Sequence, residues 1–366
     1  MSVADQNLQE TPVVAEAKPA SIRRIQKVLP RWFSPVVLII SLGIGAGLQI
    51  FAKDEPNYIA AGFIGAMLYL IAVAIAGFAY EGRRYGTDRL ATSVIIGAFV
   101  MAVVPLLSLL FTVIVHGWSR MVQGGYFTAT TFGSSNPDAI VGAGHAIVGT
   151  LMITGVTALI AIPLGVMTAV YLVEYGKGKF ARTITFLVDV MTGIPSIVAG
   201  LFAAAAIPLI NLSLFGHTEF KNGFMGSIAL VVLMTPIVVR NTEEMLRLVP
   251  NDLREASYAL GVTKAGTIIK VVLRTSASGI ISGIVIAVAR VIGESAPLLI
   301  TAGTTDMYNT NLFAGQMLTL PVYVYNEYTK GNQATAWAGA LLLILIVLLL
   351  NLFARWVAKR FAPKGE

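Results

Sequence analysis

The chain contains no cysteine among its 366 residues. Disulfides, thiolate nucleophiles and Cys-ligated metals are excluded with it. Charge is scarce as well: Asp, Glu, Lys and Arg make up 12% of the residues, against roughly 25% in a soluble domain. Histidine is limited to His116, His145 and His217. These lie too far apart for ligand spacing and read as isolated polar residues at span ends, so neither a metal nor a cofactor is expected. No Gly-x4-Gly-Lys-Ser/Thr stretch occurs, so the chain has no phosphate-cradling loop with which to hydrolyse ATP, and it is not expected to be an enzyme.

What the chain does have is apolar surface: 56% of its residues are hydrophobic and its mean hydropathy is +0.77. These residues cluster. A bilayer core needs about 20 consecutive apolar residues of helix, and eight runs qualify: 33–51, 58–80, 90–115, 146–172, 183–210, 224–239, 276–300 and 337–357. The fold class is therefore all-α and polytopic, with eight membrane spans. The first span follows a long polar tail, not a short basic leader, and reads as a retained helix. Residues 1–30, rich in Ala, Glu, Gln, Pro and Lys, are expected to be a disordered tail. Spans one and two form a hairpin, 31–85, over the short turn at 53–57, ahead of a core from 90 to 361.

An even number of spans puts both termini on one side. If that side is the cytosol, all of the 26 Lys and Arg residues are cytosolic except Lys53, Arg120, Lys221, Lys330 and the intramembrane Arg290. Such a bias sets the orientation by the positive-inside rule and accounts for the net charge of +7 without a nucleic-acid partner. Five core prolines, Pro105, Pro163, Pro195, Pro236 and Pro297, each remove a backbone donor and bend or break a helix. At Gly193-Ile194-Pro195-Ser196 two readings are open: a kink serving packing, or a full helix break whose new N-terminus points backbone N–H groups at an anion.

Between the spans lies a polar loop, 240–274, far longer than a reconnection requires. It has room for two short helices, the first capped by Asp252 and stopped by Gly261, the second starting after Thr263. Small residues at Ala256, Ser257 and Ala259 would let another surface approach closely. Within the loop stand Glu255-Ala256-Ser257, three residues, Gly261, nine residues, then Val271-x-Leu273. This resembles the signature of the permease subunits of ABC importers, Glu-Ala-Ala, three residues, Gly, nine residues, Ile-x-Leu-Pro. It departs at Arg274, where the family pattern has proline, and at Ser278, where many members have a second one.

The segment Arg290-Val291-Ile292-Gly293-Glu294-Ser295-Ala296-Pro297 is similar to the fifth core span of phosphate importer permeases of the PstA type, as are 146–150, 193–202 and 320–326. The resemblance implies a type I permease-like six-helix core, preceded here by a two-helix extension that lies outside it. It implies a coupling role for Glu255, Ala256, Ser257 and Gly261 against an ATP-binding subunit. It also implies two such subunits, a second homologous permease of the PstC type and an extracytoplasmic phosphate-binding protein as partners. The site would be the cell's inner or plasma membrane, and the cargo inorganic phosphate. Another oxyanion such as molybdate or sulfate is the alternative cargo, and a stand-alone secondary transporter or channel the alternative class.

Ionisable residues inside spans are expensive and point to function. Three are present: Asp189, Arg290 and Glu294. Arg290 lies ~21 Å into its helix at 1.5 Å per residue, and Glu294 one turn further. One reading makes Arg290 a phosphate contact, since a guanidinium's planar fork matches phosphate oxygens. Glu294 would then pair with it when no anion is present. The other reading is an ion pair that fixes helix packing. For Arg240, an exit contact for the anion and a positive-inside anchor are equally open. Asp189 is expected to pair with a cytosolic-side Lys or Arg.

Overall fold

The computed structural model describes residues 29–30, 32–52, 58–133, 141–216 and 221–361. The expected tail up to residue 28, the turn at 53–57 and His217 lie outside the described residues. Among the described residues every regular element is helical. The chain divides into two compact units, Met1–Ser108 and Leu109–Glu366, with the division falling inside one long helix.

The first unit holds α1 (Phe33–Ala52), α2 (Tyr58–Ala76), a π-helical turn (Gly77–Glu81) and the start of α3 (Gly82–Met121). Lipid tails are as apolar as Leu, so hydrophobicity alone cannot pair α1 with α2; close backbone contact does. A Cβ on Gly45 would run into the Ala61 carbonyl oxygen, and one on Gly65 would lie 2.8 Å from Leu42 Cα. The outer faces carry exposed Ile39, Ile44, Phe63 and Ile71. Glu81 is buried and ion-paired to Arg89 at 2.6 Å, and it accepts the Leu29 N–H at 2.7 Å. Arg89 in turn donates to the Leu29 carbonyl at 3.1 Å, so the chain ahead of α1 is held to the α2–α3 junction.

Seven helical runs among the described residues are long and apolar enough to cross a membrane, where eight spans were expected. One of them, Ala60–Met121, is 62 residues long and takes in two expected spans. At ~1.5 Å per residue it would reach ~93 Å, about three bilayer cores, but it is not one rod. Gly82 has φ of 80°, and a Cβ on Gly86 would lie 2.9 Å from the Gly77 carbonyl carbon. That contact is possible only if the chain folds back at Gly82.

The second unit contains the end of α3, then α4 (Gly144–Val170) with a π-helical turn at Tyr171–Tyr175, α5 (Gly178–Thr192), α6 (Ser196–Phe215) and α7 (Gly223–Arg247). It continues with α8 (Asn251–Ala259), α9 (Lys264–Thr267), a π-helical turn (Ile268–Val272), α10 (Leu273–Ile292), α11 (Ala296–Thr301), α12 (Leu320–Thr329) and α13 (Gln333–Phe361). Its centre is the α4–α7 pair. Gly165 sits against Val238, where a Cβ would lie 2.7 Å from a side-chain carbon. Ser227 donates to the Ile153 carbonyl at 3.2 Å and Thr157 to the Ser227 carbonyl at 3.3 Å, polar ties of the kind that hold membrane helices together.

Two expected spans are interrupted. The run 183–210 becomes α5 and α6, because Pro195 (φ −58°, ψ 138°) stands at the N-cap of α6 and forces Ile194 away from helical ψ. The run 276–300 becomes α10 and α11, with Gly293 closing the first and Pro297 opening the second. Pro105, Pro163 and Pro236 by contrast remain inside their helices.

Candidate functional site

The two interruptions lie side by side. A Cβ on Gly200 of α6 would come 2.7 Å from Pro297 Cα of α11, so the glycine is what lets the second break approach the first. Next to them is a cavity of about 280 Å³. Thr192, Ile194, Pro195 and Ser196 line it from the first break; Leu233, Pro236 and Ile237 from α7; and Arg290, Val291 and Glu294 from the end of α10 and the second break. The first N–H groups of α6, at Ser196 and Ile197, have no helical acceptor by geometry.

Arg290 is exposed, and among the described residues neither it nor the half-buried Glu294 has a side-chain partner. The expected Arg290–Glu294 ion pair does not form. Its physical basis was an i,i+4 relation on one continuous helix, and α10 ends at Ile292, two residues before the carboxylate. Both side chains therefore line the same cavity with their hydrogen-bonding capacity unspent.

Arg240 does not line that cavity. It is half-buried in α7, ion-paired to Asp189 of α5 and to Glu243 at 2.8 Å. Glu243 also takes Arg247 at 2.5 Å. Asp189 thus finds the basic partner expected for it. Of the residues singled out in the sequence, the structure brings together Arg290, Glu294, Pro195 and Ser196, with Gly193 just outside the lining. Pro236, one of the core prolines, also lines the cavity. Thr192, Leu233 and Ile237 lie on the wall too and carried no signal of their own, being ordinary residues of apolar spans.

The polar loop forms two helices. α8 begins at Asn251, and its N-cap is Pro250 (φ −59°, ψ 144°), not Asp252. Asp252 stands in the first turn, where its charge suits the helix dipole. Gly261 ends the turn with φ of 77°. Thr263 caps α9 by accepting the Gly266 N–H at 3.3 Å. Glu255, Ala256 and Gly261 are exposed. Ser257 is not: it is buried, and its hydroxyl lies 2.8 Å from that of Thr267, joining the two helices of the loop. Arg274 is exposed in the first turn of α10. It has the backbone N–H that a proline lacks, so the helical run from Lys264 continues unbroken to Ile292.

At the other end of α4 the second unit carries a polar cluster. Thr131 donates to Asp306 at 2.6 Å and lies 3.3 Å from the ring of His145. Glu327 is buried and holds Lys330 at 3.2 Å and Asn332 at 2.9 Å. Beside it burial pushes the Tyr126 phenol up to about 12 and that of Tyr323 higher still, so both stay neutral.

A broken-helix bundle with a small polar loop helix has known counterparts. Residues 161–363 match the family described as binding-protein-dependent transport system inner membrane component. Over 284 residues the chain is 44% identical to phosphate transport system permease protein PstA 1 of Mycobacterium tuberculosis (strain CDC 1551 / Oshkosh), covering 76% of this chain and 91% of that one. The chain belongs to this permease family. It is also 39% identical over 269 residues to the PstA protein of Haemophilus influenzae, covering 72% and 89%. A bacterial alginate ABC transporter structure shares the family fold over 76% of this chain and 97% of its own, with a TM-score of 0.57 at 14% identity. That likeness speaks to fold alone. The family match covers the cavity, both breaks and the polar loop. It begins after α3, so the first unit stands outside it.

Proposed function

We propose that the chain is the PstA-type membrane subunit of an ATP-driven importer that moves inorganic phosphate into the cytoplasm. The observation that carries this reading is the unpartnered Arg290 guanidinium on a cavity of about 280 Å³ between two helix breaks. Unwound backbone at membrane depth is tolerated where it lines a water-filled path, and a permanently charged fork of donors suits a phosphate passing along that path. The 44% identity to a phosphate permease supports the same cargo.

Glu294 favours phosphate over other tetrahedral anions. A carboxylate on the same wall repels an oxyanion with no proton, such as sulfate or molybdate at neutral pH. Phosphate keeps a P–OH that donates to it. The carboxylate also keeps the anion from being held too tightly to leave. Arg240, held between two carboxylates, serves as an anchor at the cytosolic end and meets the anion only if that pairing opens.

The chain carries no ATP-hydrolysing loop, so power comes from two ATP-binding subunits, one of them docked on Glu255, Ala256 and Gly261 of this chain, with Ser257 bracing the loop from inside. A second permease of the PstC type closes the path, a phosphate-binding protein delivers cargo from outside, and both termini are cytosolic. The hairpin at 31–85 is an accessory to this core. The test is Arg290→Gln in the intact complex. Uptake of labelled phosphate is expected to vanish while the partner subunits still co-purify; normal uptake overturns the reading. Transport by this chain reconstituted without partners would instead favour a stand-alone carrier.

A further inference from the structure

We propose that Glu174 is the pivot that passes movement of the docking helix α8 into α4 and α7, making it a positioning residue for ATP-driven transport. The inference rests on the reading of the chain as a permease worked by a partner ATPase. Glu174 lies in the π-helical turn that ends α4, and its side chain is 6% exposed. Its carboxylate takes Arg254 of α8 in two bonds, Nη2 at 2.8 Å and Nε at 3.2 Å. The same guanidinium donates to the Leu246 carbonyl at 3.0 Å and to the Val249 carbonyl at 2.6 Å, closing the C-terminal end of α7. One side chain of α8 therefore ties together α4 and α7.

The second helix of the loop is held at the same place. Lys264 of α9 donates to the Glu174 backbone carbonyl and lies 4.4 Å above the ring centre of Tyr175. Both loop helices thus grip the two residues Glu174 and Tyr175, and Ser257 with Thr267 locks them to each other. α8 cannot be displaced as a rigid body without dragging the end of α4. α4 is tied to α7 by Thr157 and Ser227, and α7 supplies Leu233, Pro236 and Ile237 to the cavity wall. A continuous mechanical route therefore runs from the docking face to the cavity, beside the covalent links that α7 and α10 provide. Its key contact is a nearly dry ion pair, rigid because neither partner has water to exchange for the other.

The test uses the whole importer in proteoliposomes, this chain with its permease partner and ATP-binding subunits, with phosphate-binding protein supplied. Phosphate uptake and ATP hydrolysis are measured together. A wild-type complex that hydrolyses ATP without importing phosphate would sink the functional reading itself; Glu174 is judged against a wild type that imports. Glu174→Gln keeps the shape and one acceptor oxygen. It is expected to retain the ATP-binding subunits and to hydrolyse ATP, while phosphate imported per ATP falls about ten-fold, within the range of coupling between linked sites. An unchanged ratio in Glu174→Gln overturns the proposal, as does a loss of uptake fully accounted for by loss of bound ATP-binding subunits. Should that variant fail to accumulate, Glu174→Asp keeps the charge and shortens the reach. Its ratio is expected to fall in the same direction, and a wild-type ratio there overturns the proposal equally.

Discussion

At the scale of single residues, the unspent groups matter more than the spent ones. Arg240, Glu243, Asp189 and Arg247 satisfy one another, whereas Arg290 and Glu294 face a cavity with no side-chain partner among the described residues. Under the proposed function those two unpaired groups are the ones free to meet the anion. If Glu294 discriminates by accepting a phosphate P–OH, then Glu294→Gln, whose amide also donates, should admit sulfate. Anion binding to the purified complex, without the delivery protein, is expected to show the phosphate-to-sulfate preference falling by about ten-fold, or ~1.4 kcal/mol. Gly200 makes a different kind of prediction. Gly200→Val forces side-chain atoms into Pro297, and overpacking of this sort costs about 1–3 kcal/mol. Thermal unfolding of the detergent-solubilised complex should shift down accordingly, with phosphate uptake reduced because the two breaks are pushed apart.

At the scale of elements, the polar loop was legible in outline. Its two helices, the stop at Gly261 and the start at Thr263 follow from local chemistry. The residue starting α8 was not legible, because Pro250 and Asp252 both suit a helix start and only the backbone path chooses between them. Gly261 has open space around it, so its sole constraint is φ of 77°. Gly261→Val is therefore expected to cost about 1–2 kcal/mol through left-handed strain alone. The checkable signature is faster proteolysis within 257–263 in the isolated complex, while Gly261→Asn, which tolerates that region, stays close to wild type. The two span interruptions were half legible. Pro195 and Pro297 advertised some disruption, but Pro105, Pro163 and Pro236 advertised as much and stay inside helices.

At the scale of the whole molecule, the proposed function divides the labour between a membrane path and a cytosolic handle. The exposed faces around α8, with Leu253, Tyr258 and Leu260 beside Glu255, form a small mixed patch suited to a protein cleft. Glu255→Lys reverses the charge there without touching the internal clamp. Pull-down of the ATP-binding subunits is expected to fall steeply, or ATP hydrolysis to become independent of phosphate delivery; wild-type co-purification with normal coupling would count against the docking role.

Length, hydropathy and charge bias determined by themselves that this is an all-helical membrane protein. The spacing around Glu255 and Gly261 determined its family, since both properties are written in local order along the chain. Tertiary structure alone decided that the two breaks meet, that Arg290 and Glu294 share a cavity without pairing, that Ser257 turns inward, and that Glu174 holds Arg254 at 2.8 Å. The meeting of the breaks and the Glu174–Arg254 pair join residues far apart in the chain, and Arg290 misses Glu294 because α10 ends between them. No periodicity records them, because each depends on how separate helices pack, as where Gly200 lets Pro297 approach.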